Sequence, residues 1–123
     1  MEVLLDTNFV ISCVLKRIDF VEELKLLGFV PVLPREVLQE LKDLRKTSKT
    51  SHAERAAIDV AFEIIEKEKV KKTKIGGINV DDALIAKGKQ GICIATLDAG
   101  IKNKVPNLIV ISSAKNSLVV ERK

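Results

Sequence analysis

Tryptophan and tyrosine are absent from this chain, and its four phenylalanines, Phe9, Phe20, Phe29 and Phe62, sit at core-like positions. Binding of nucleic acid by stacking bases on exposed aromatic rings is therefore not expected, which leaves backbone phosphates and shape. Histidine occurs once, at His52 in a polar stretch, so histidine-centred acid–base catalysis has no natural candidate. Cys13 and Cys93 are the only cysteines, lie inside apolar runs and lack CxxC spacing. They read as buried free thiols in a reducing compartment, not as zinc ligands or a redox pair. No apolar run approaches the ~20 residues of a membrane span. The opening Met1-Glu2-Val3-Leu4-Leu5-Asp6 also lacks the cationic and long apolar regions of a signal peptide. The expected location is cytoplasmic, away from membranes.

What is present is charge and β/α alternation. Lysine and arginine number 21 against 17 acids, giving +4 over 123 residues, which suits a phosphate-rich partner. A chain of this length can bury roughly two-thirds of its unfolded surface in one core, so residues 1–123 are expected to form a single domain.

Short β-rich runs alternate with segments of helical period, the mark of a parallel sheet covered by helices. Strands are expected at Val3–Leu5, Val30–Leu33, 69–74, Ile92–Ala95 and Leu108–Ile111, with one more β-rich piece at Leu118–Val120. Helices are expected at Asn8–Leu15, Phe20–Leu27, Arg35–Leu44, Ala53–Lys67, from Asn79 through Lys89, and briefly before Lys104. The polar stretch Arg45–His52 reads as the one loop long enough to be mobile. The fold class is α/β: a three-layer α/β/α sandwich around a five-stranded, mainly parallel sheet.

Two strands run directly into an aspartate, at Asp6 and Asp98, and parallel strands would deliver both carboxylates to one rim of the sheet. Asp82, in the first turn of its helix, and Glu40, one turn inside another, can face that rim. Three or four carboxylates converging without a cation are costly unless a divalent metal neutralises them. Oxygen-only donors select Mg²⁺ or Mn²⁺, and such ions suit phosphoryl transfer. Each residue also has a plainer reading. Asp6 and Asp98 can be helix N-caps, Asp81 and Asp82 first-turn acids favoured by the helix dipole, and Glu40 a surface partner of Arg35 or Arg45. Thr7, Asn8 and Thr96 flank the strand-end acids and can orient them, or simply form turns.

Four segments, Leu4-Leu5-Asp6-Thr7-Asn8, Val37-Leu38-Gln39-Glu40-Leu41, Asp82-Ala83-Leu84-Ile85-Ala86 and Thr96-Leu97-Asp98, occur in the order found in PIN domain nucleases, and the chain resembles that family throughout. The resemblance implies Mg²⁺ or Mn²⁺ held by Asp6, Glu40, Asp82 and Asp98, and endonucleolytic cleavage of RNA. It further implies the toxin of a type II toxin–antitoxin pair, the VapC group, as a homodimer neutralised by an antitoxin protein. The alternative within the family is ribosomal-RNA processing, to which the Val80-Asp81-Asp82 doublet is somewhat closer. Some relatives carry a further acid or Asn after the fourth segment, where this chain has Ala99-Gly100-Ile101; Asp81 is then a candidate to complete the shell.

Outside that activity stand a non-catalytic RNA-binding module and a receiver-like phosphoacceptor domain. The receiver needs an acid pair at the first strand and a Lys at the fifth, whereas this chain offers only Asp6 and ends the fifth in Ser112-Ser113.

Overall fold

The computed structural model describes all residues 1–123. The chain alternates as expected: β1 (Glu2–Leu5), α1 (Thr7–Leu15), α2 (Phe20–Leu26), β2 (Val30–Pro34), α3 (Arg35–Lys46), α4 (His52–Lys67), β3 (Lys71–Thr73), α5 (Val80–Lys89), β4 (Cys93–Ala95), α6 (Ala99–Lys102), β5 (Asn107–Ser112) and β6 (Ser117–Arg122). The sheet order is β3-β2-β1-β4-β5-β6, parallel except for the β5/β6 pair.

The sheet has six strands, not five. The β-rich piece at Leu118–Val120 is the middle of β6, which folds back antiparallel on β5 through a short turn with Asn116 in the left-handed region (φ 49°). The expected loop at Arg45–His52 is also shorter. Arg45 and Lys46 complete α3, His52 opens α4, and between them Thr50 is buried while Ser51 accepts from the Glu54 N–H at 3.1 Å as a helix cap.

β2 holds an interior position despite Pro31. The Val30 N–H donates to Met1 O at 2.8 Å, toward β1, so alternation points the missing Pro31 donor toward β3. Pairing with β3 begins only at Val32, and no ladder bond is lost.

Alternation along the strands divides the core by face. Val3, Leu5, Leu33, Cys93, Ala95 and Ile109 join the larger cluster beneath α1 to α4, with Phe9, Phe20, Leu24, Leu41 and Ile58. Leu4, Val32, Ile94 and Leu108 join the smaller cluster beneath α5 and α6, with Leu84 and Ile101. Both cysteines are free and buried, and burial pushes the Cys13 and Cys93 thiols up to about 12 and about 11. They belong to the core and are poor nucleophiles.

Candidate functional site: an acid-lined rim at the switch point

The strand order reverses between β1 and β4, and in open parallel sheets the crevice beyond the carboxyl ends at such a point is where ligands bind. Leu5 lies opposite Ala95, so the chain delivers Asp6 and Thr96 side by side at this crevice. The Asp6 N–H continues the ladder by donating to Ala95 O at 2.9 Å.

Asp6 is 4% exposed and Thr96 0%. The Asp6 carboxylate accepts from the Thr7 N–H on Oδ1 and from the Thr96 hydroxyl on Oδ2, each at 2.8 Å. Burial drives its pKa up, the bonds from Thr96 and Thr7 pull it down, and the Asp81 and Glu40 carboxylates push it up again. The balance lies above the ordinary aspartate value. No cation appears among these influences, so the site holds negative charge at a desolvation cost.

Glu40 is exposed on α3, and its Oε1 accepts from the buried Thr7 hydroxyl. Asp81 and Asp82 lie in the first turn of α5, capped by Asn79. The Asn79 side chain accepts from the Asp82 N–H at 2.9 Å and donates through Nδ2 to Asp82 Oδ2 at 3.0 Å. Glu40, Asn79, Val80, Asp81 and Asp82 line one concavity. Asp98 caps α6, with Oδ1 accepting from the Ile101 N–H at 3.1 Å, while its own N–H donates to the Thr96 hydroxyl at 3.0 Å. Thr96 therefore ties Asp6 to the Asp98 backbone, and Thr7 ties Asp6 to Glu40. Asn8 is exposed on the first turn of α1.

The capping readings of Asp6 and Asp98 thus describe real contacts, and Asp82 is held in a cap as well. Asp6, Glu40 and Asp81 are near enough for the two others to act on the Asp6 charge. No three carboxylate, histidine or cysteine side chains stand together in a metal-holding group. The donor chemistry nonetheless fits a hard divalent ion: the side chains are oxygen-only and anionic, and one is buried with like charges facing it.

Sequence reasoning missed Glu36. Its carboxylate accepts from the Ile75 N–H at 3.1 and 3.2 Å and from the Gly76 N–H at 2.8 Å. It thereby fastens α3 to the loop that leads into α5. Burial raises its pKa, but the bonds from Gly76 and Ile75 outweigh that and hold it below the ordinary glutamate value. The legible signal was its position four residues before Glu40, on the same face of α3, opposite a Gly-Gly turn that needs its amides satisfied.

In Glu36→Ala the Ile75 and Gly76 amides are expected to exchange with solvent several-fold faster, up to about tenfold. Hydrogen bonds to a charged acceptor are worth ~1.5–3 kcal/mol, before solvent screening lowers that figure. Because the folded pKa is depressed, this contribution is present above the unfolded value of 4.5 and fades as pH falls through the folded pKa. Residue-resolved exchange measured on both sides of that value checks the direction.

A family model described as a PIN-like domain matches residues 3–112. The chain belongs to the PIN-like domain family. The match runs from within β1 to the end of β5, so β6 lies outside it. Among solved structures, the one titled "Structure of the PIN domain endonuclease Utp24" matches with a TM-score of 0.75 and 22% identity, covering 99% of this chain and 92% of that one. At that identity the likeness is one of fold. No curated protein matches the sequence. The PIN-like order also separates this chain from receiver domains, whose sheet runs 2-1-3-4-5.

Proposed function

We propose that this PIN-like domain is a divalent-metal-dependent endoribonuclease. The observation that carries the reading is the Asp6 carboxylate at the switch point, its pKa raised first by burial and then by the Asp81 and Glu40 carboxylates, with no cation opposing them. The PIN domain endonuclease of like fold supports the same reading.

Asp6, Glu40, Asp82 and Asp98 would hold the ion, with Asp81 as a further donor. Releasing Asp98 from its cap costs about 1 kcal/mol, and Asp82 gives up only the bond it accepts from Asn79 Nδ2. Bound Mg²⁺ or Mn²⁺ supplies stabilisation of charge on the phosphoryl oxygens. The chain's own residues do the positioning. Thr96 fixes Asp6, and Thr7 fixes one oxygen of Glu40, leaving the other to orient a water for in-line attack.

RNA is the proposed substrate, with its phosphates drawn by the basic surface. Arg45, His52, Arg55 and Asp59 line a concavity between α3 and α4, where Asp59 engages only Arg45 Nε, at 2.6 Å.

The finer assignment to a VapC-type toxin, a homodimer silenced by an antitoxin in the cytoplasm, remains part of the proposal. The alternative is RNA processing, to which the Asp81-Asp82 doublet is somewhat closer.

The test is cleavage of a panel of single-stranded and structured RNAs with Mg²⁺, Mn²⁺ or EDTA. Cutting that requires the ion is expected, and cut positions in unpaired loops or at precursor ends distinguish the two roles. Equal cutting in EDTA would overturn the metal dependence, and no cutting of any RNA together with no metal-induced stabilisation would overturn the nuclease.

A further inference from the structure

The geometry points to a subsite for one unpaired nucleobase beside the acids, in a groove between the 75–78 loop and α5. The groove has a volume of about 340 Å³ and is lined by Ile75, Gly77, Ile78, Asp82, Ala83, Ala86, Lys87 and Gln90. That is within the range of small-ligand sites, ~300–1,000 Å³. Asp82 lines both this groove and the concavity of Glu40 and Asp81. A strand crossing the acids therefore has one neighbouring nucleotide within reach of the groove.

The lining matches a base better than it matches a phosphate or a peptide strand. Ile75, Ile78, Ala83 and Ala86 give apolar walls. Gln90 brings both an amide donor and a carbonyl acceptor for a base edge, and Lys87 brings a cation for the attached phosphate. The aliphatic walls cover the faces of the base by apolar contact.

Ile78 is 100% exposed, so nothing in the folded chain accounts for an isoleucine there. The backbone just before it is fixed on both sides. Glu36 grips Ile75 and Gly76. Gly77 sits in the left-handed region at φ 84°, so close to α5 that a Cβ would stand 3.0 Å from Ala83 Cβ. The backbone of the groove is thus preformed, which limits the entropy lost on binding, and the free Ile78 side chain can close over a base.

This inference rests on the RNA reading, and its test separates the two. Short single-stranded RNAs carrying one abasic nucleotide at successive positions are compared with the intact strand. One comparison is cleavage by the wild-type chain with Mn²⁺; the other is fluorescence anisotropy with the Asp6→Asn chain. At one position next to the cut, loss of the base is expected to raise KM and weaken binding by about five- to tenfold, with kcat little changed. In Ile78→Ser, a substitution at a fully exposed position, and independently in Gln90→Ala, that ratio is expected to fall toward one.

A ratio unchanged in both variants would overturn the subsite, as would no base dependence at any position. If the wild-type chain cuts none of these strands, anisotropy decides the subsite alone: a base preference lost in Ile78→Ser upholds it, and equal binding refutes it.

Discussion

Asp6→Asn is expected to lower metal-dependent RNA cleavage by at least about a hundredfold, since even outer partners of metal ligands are worth roughly 10–100-fold. The same substitution is expected to make the metal-free protein more stable near neutral pH. Asparagine keeps the shape, its Oδ1 can accept from the Thr7 N–H, and its Nδ2 can donate to the Thr96 hydroxyl oxygen. What it removes is a buried charge faced by Asp81 and Glu40; the Thr96 hydroxyl proton loses its acceptor in exchange, a cost that the release of charge is expected to exceed.

The sign follows from linkage. A carboxylic acid whose pKa is raised on folding binds its proton more tightly in the native state, so its ionisation weakens the fold as pH rises from the unfolded value of 3.8 through the higher folded one. Below 3.8 the variant and the wild type should melt together. Above the folded pKa the variant should melt higher, and Mn²⁺ should raise the wild-type Tm more than the variant's. Thermal melts across that range, with EDTA and with Mn²⁺, read both effects. A variant that cleaves at the wild-type rate would remove Asp6 from the site. A variant Tm below wild type at pH 7 would contradict the strain.

Gly88→Ala is expected to destabilise the fold, against the helical preference for alanine. Gly88 lies in α5, where a Cβ would stand 2.3 Å from Val105 Cγ1, 2.7 Å from Val105 Cβ and 3.2 Å from Ile94 Cγ1. Removing a helical glycine gains about 1 kcal/mol. Forcing a methyl into a filled core costs about 1–3 kcal/mol, and the 2.3 Å approach argues for the upper end or beyond. Chemical denaturation should therefore show a net loss of about 2 kcal/mol or more. A more stable variant would mean that the Val105 segment yields freely.

The strand-end acids were legible because strand and loop follow different chemistry. Val3-Leu4-Leu5 and Cys93-Ile94-Ala95 are buried on both faces, as interior strands are, so the polar residue ending each must emerge at the rim. Helix periods gave α3, α4 and α5 to within two residues.

Other features were not legible because they depend on distant partners. Leu118–Val120 looks the same whether it is a stray β-rich tail or a sixth strand, and only its pairing with β5 decides. The Glu36 clamp joins residues 39 and 40 positions apart. The division between Asp81, which acts on Asp6, and Asp82, which completes a cap, turns on one helical step of about 100°. Spacing alone cannot resolve that step.

The hydrogen bond from Thr96 to Asp6 spans 90 residues, and it affects how a nascent chain matures. The first strand made is the centre of the sheet, and one of its two neighbours, β4, is made more than eighty residues later. At roughly 5–20 residues per second, about 4–18 seconds of synthesis separate β1 from β4, and until then Asp6 lacks both its Thr96 bond and its β4 backbone partner. The acid cluster thus forms only after most of the domain has been synthesised, and folding is expected to be slowed by this long-range closure.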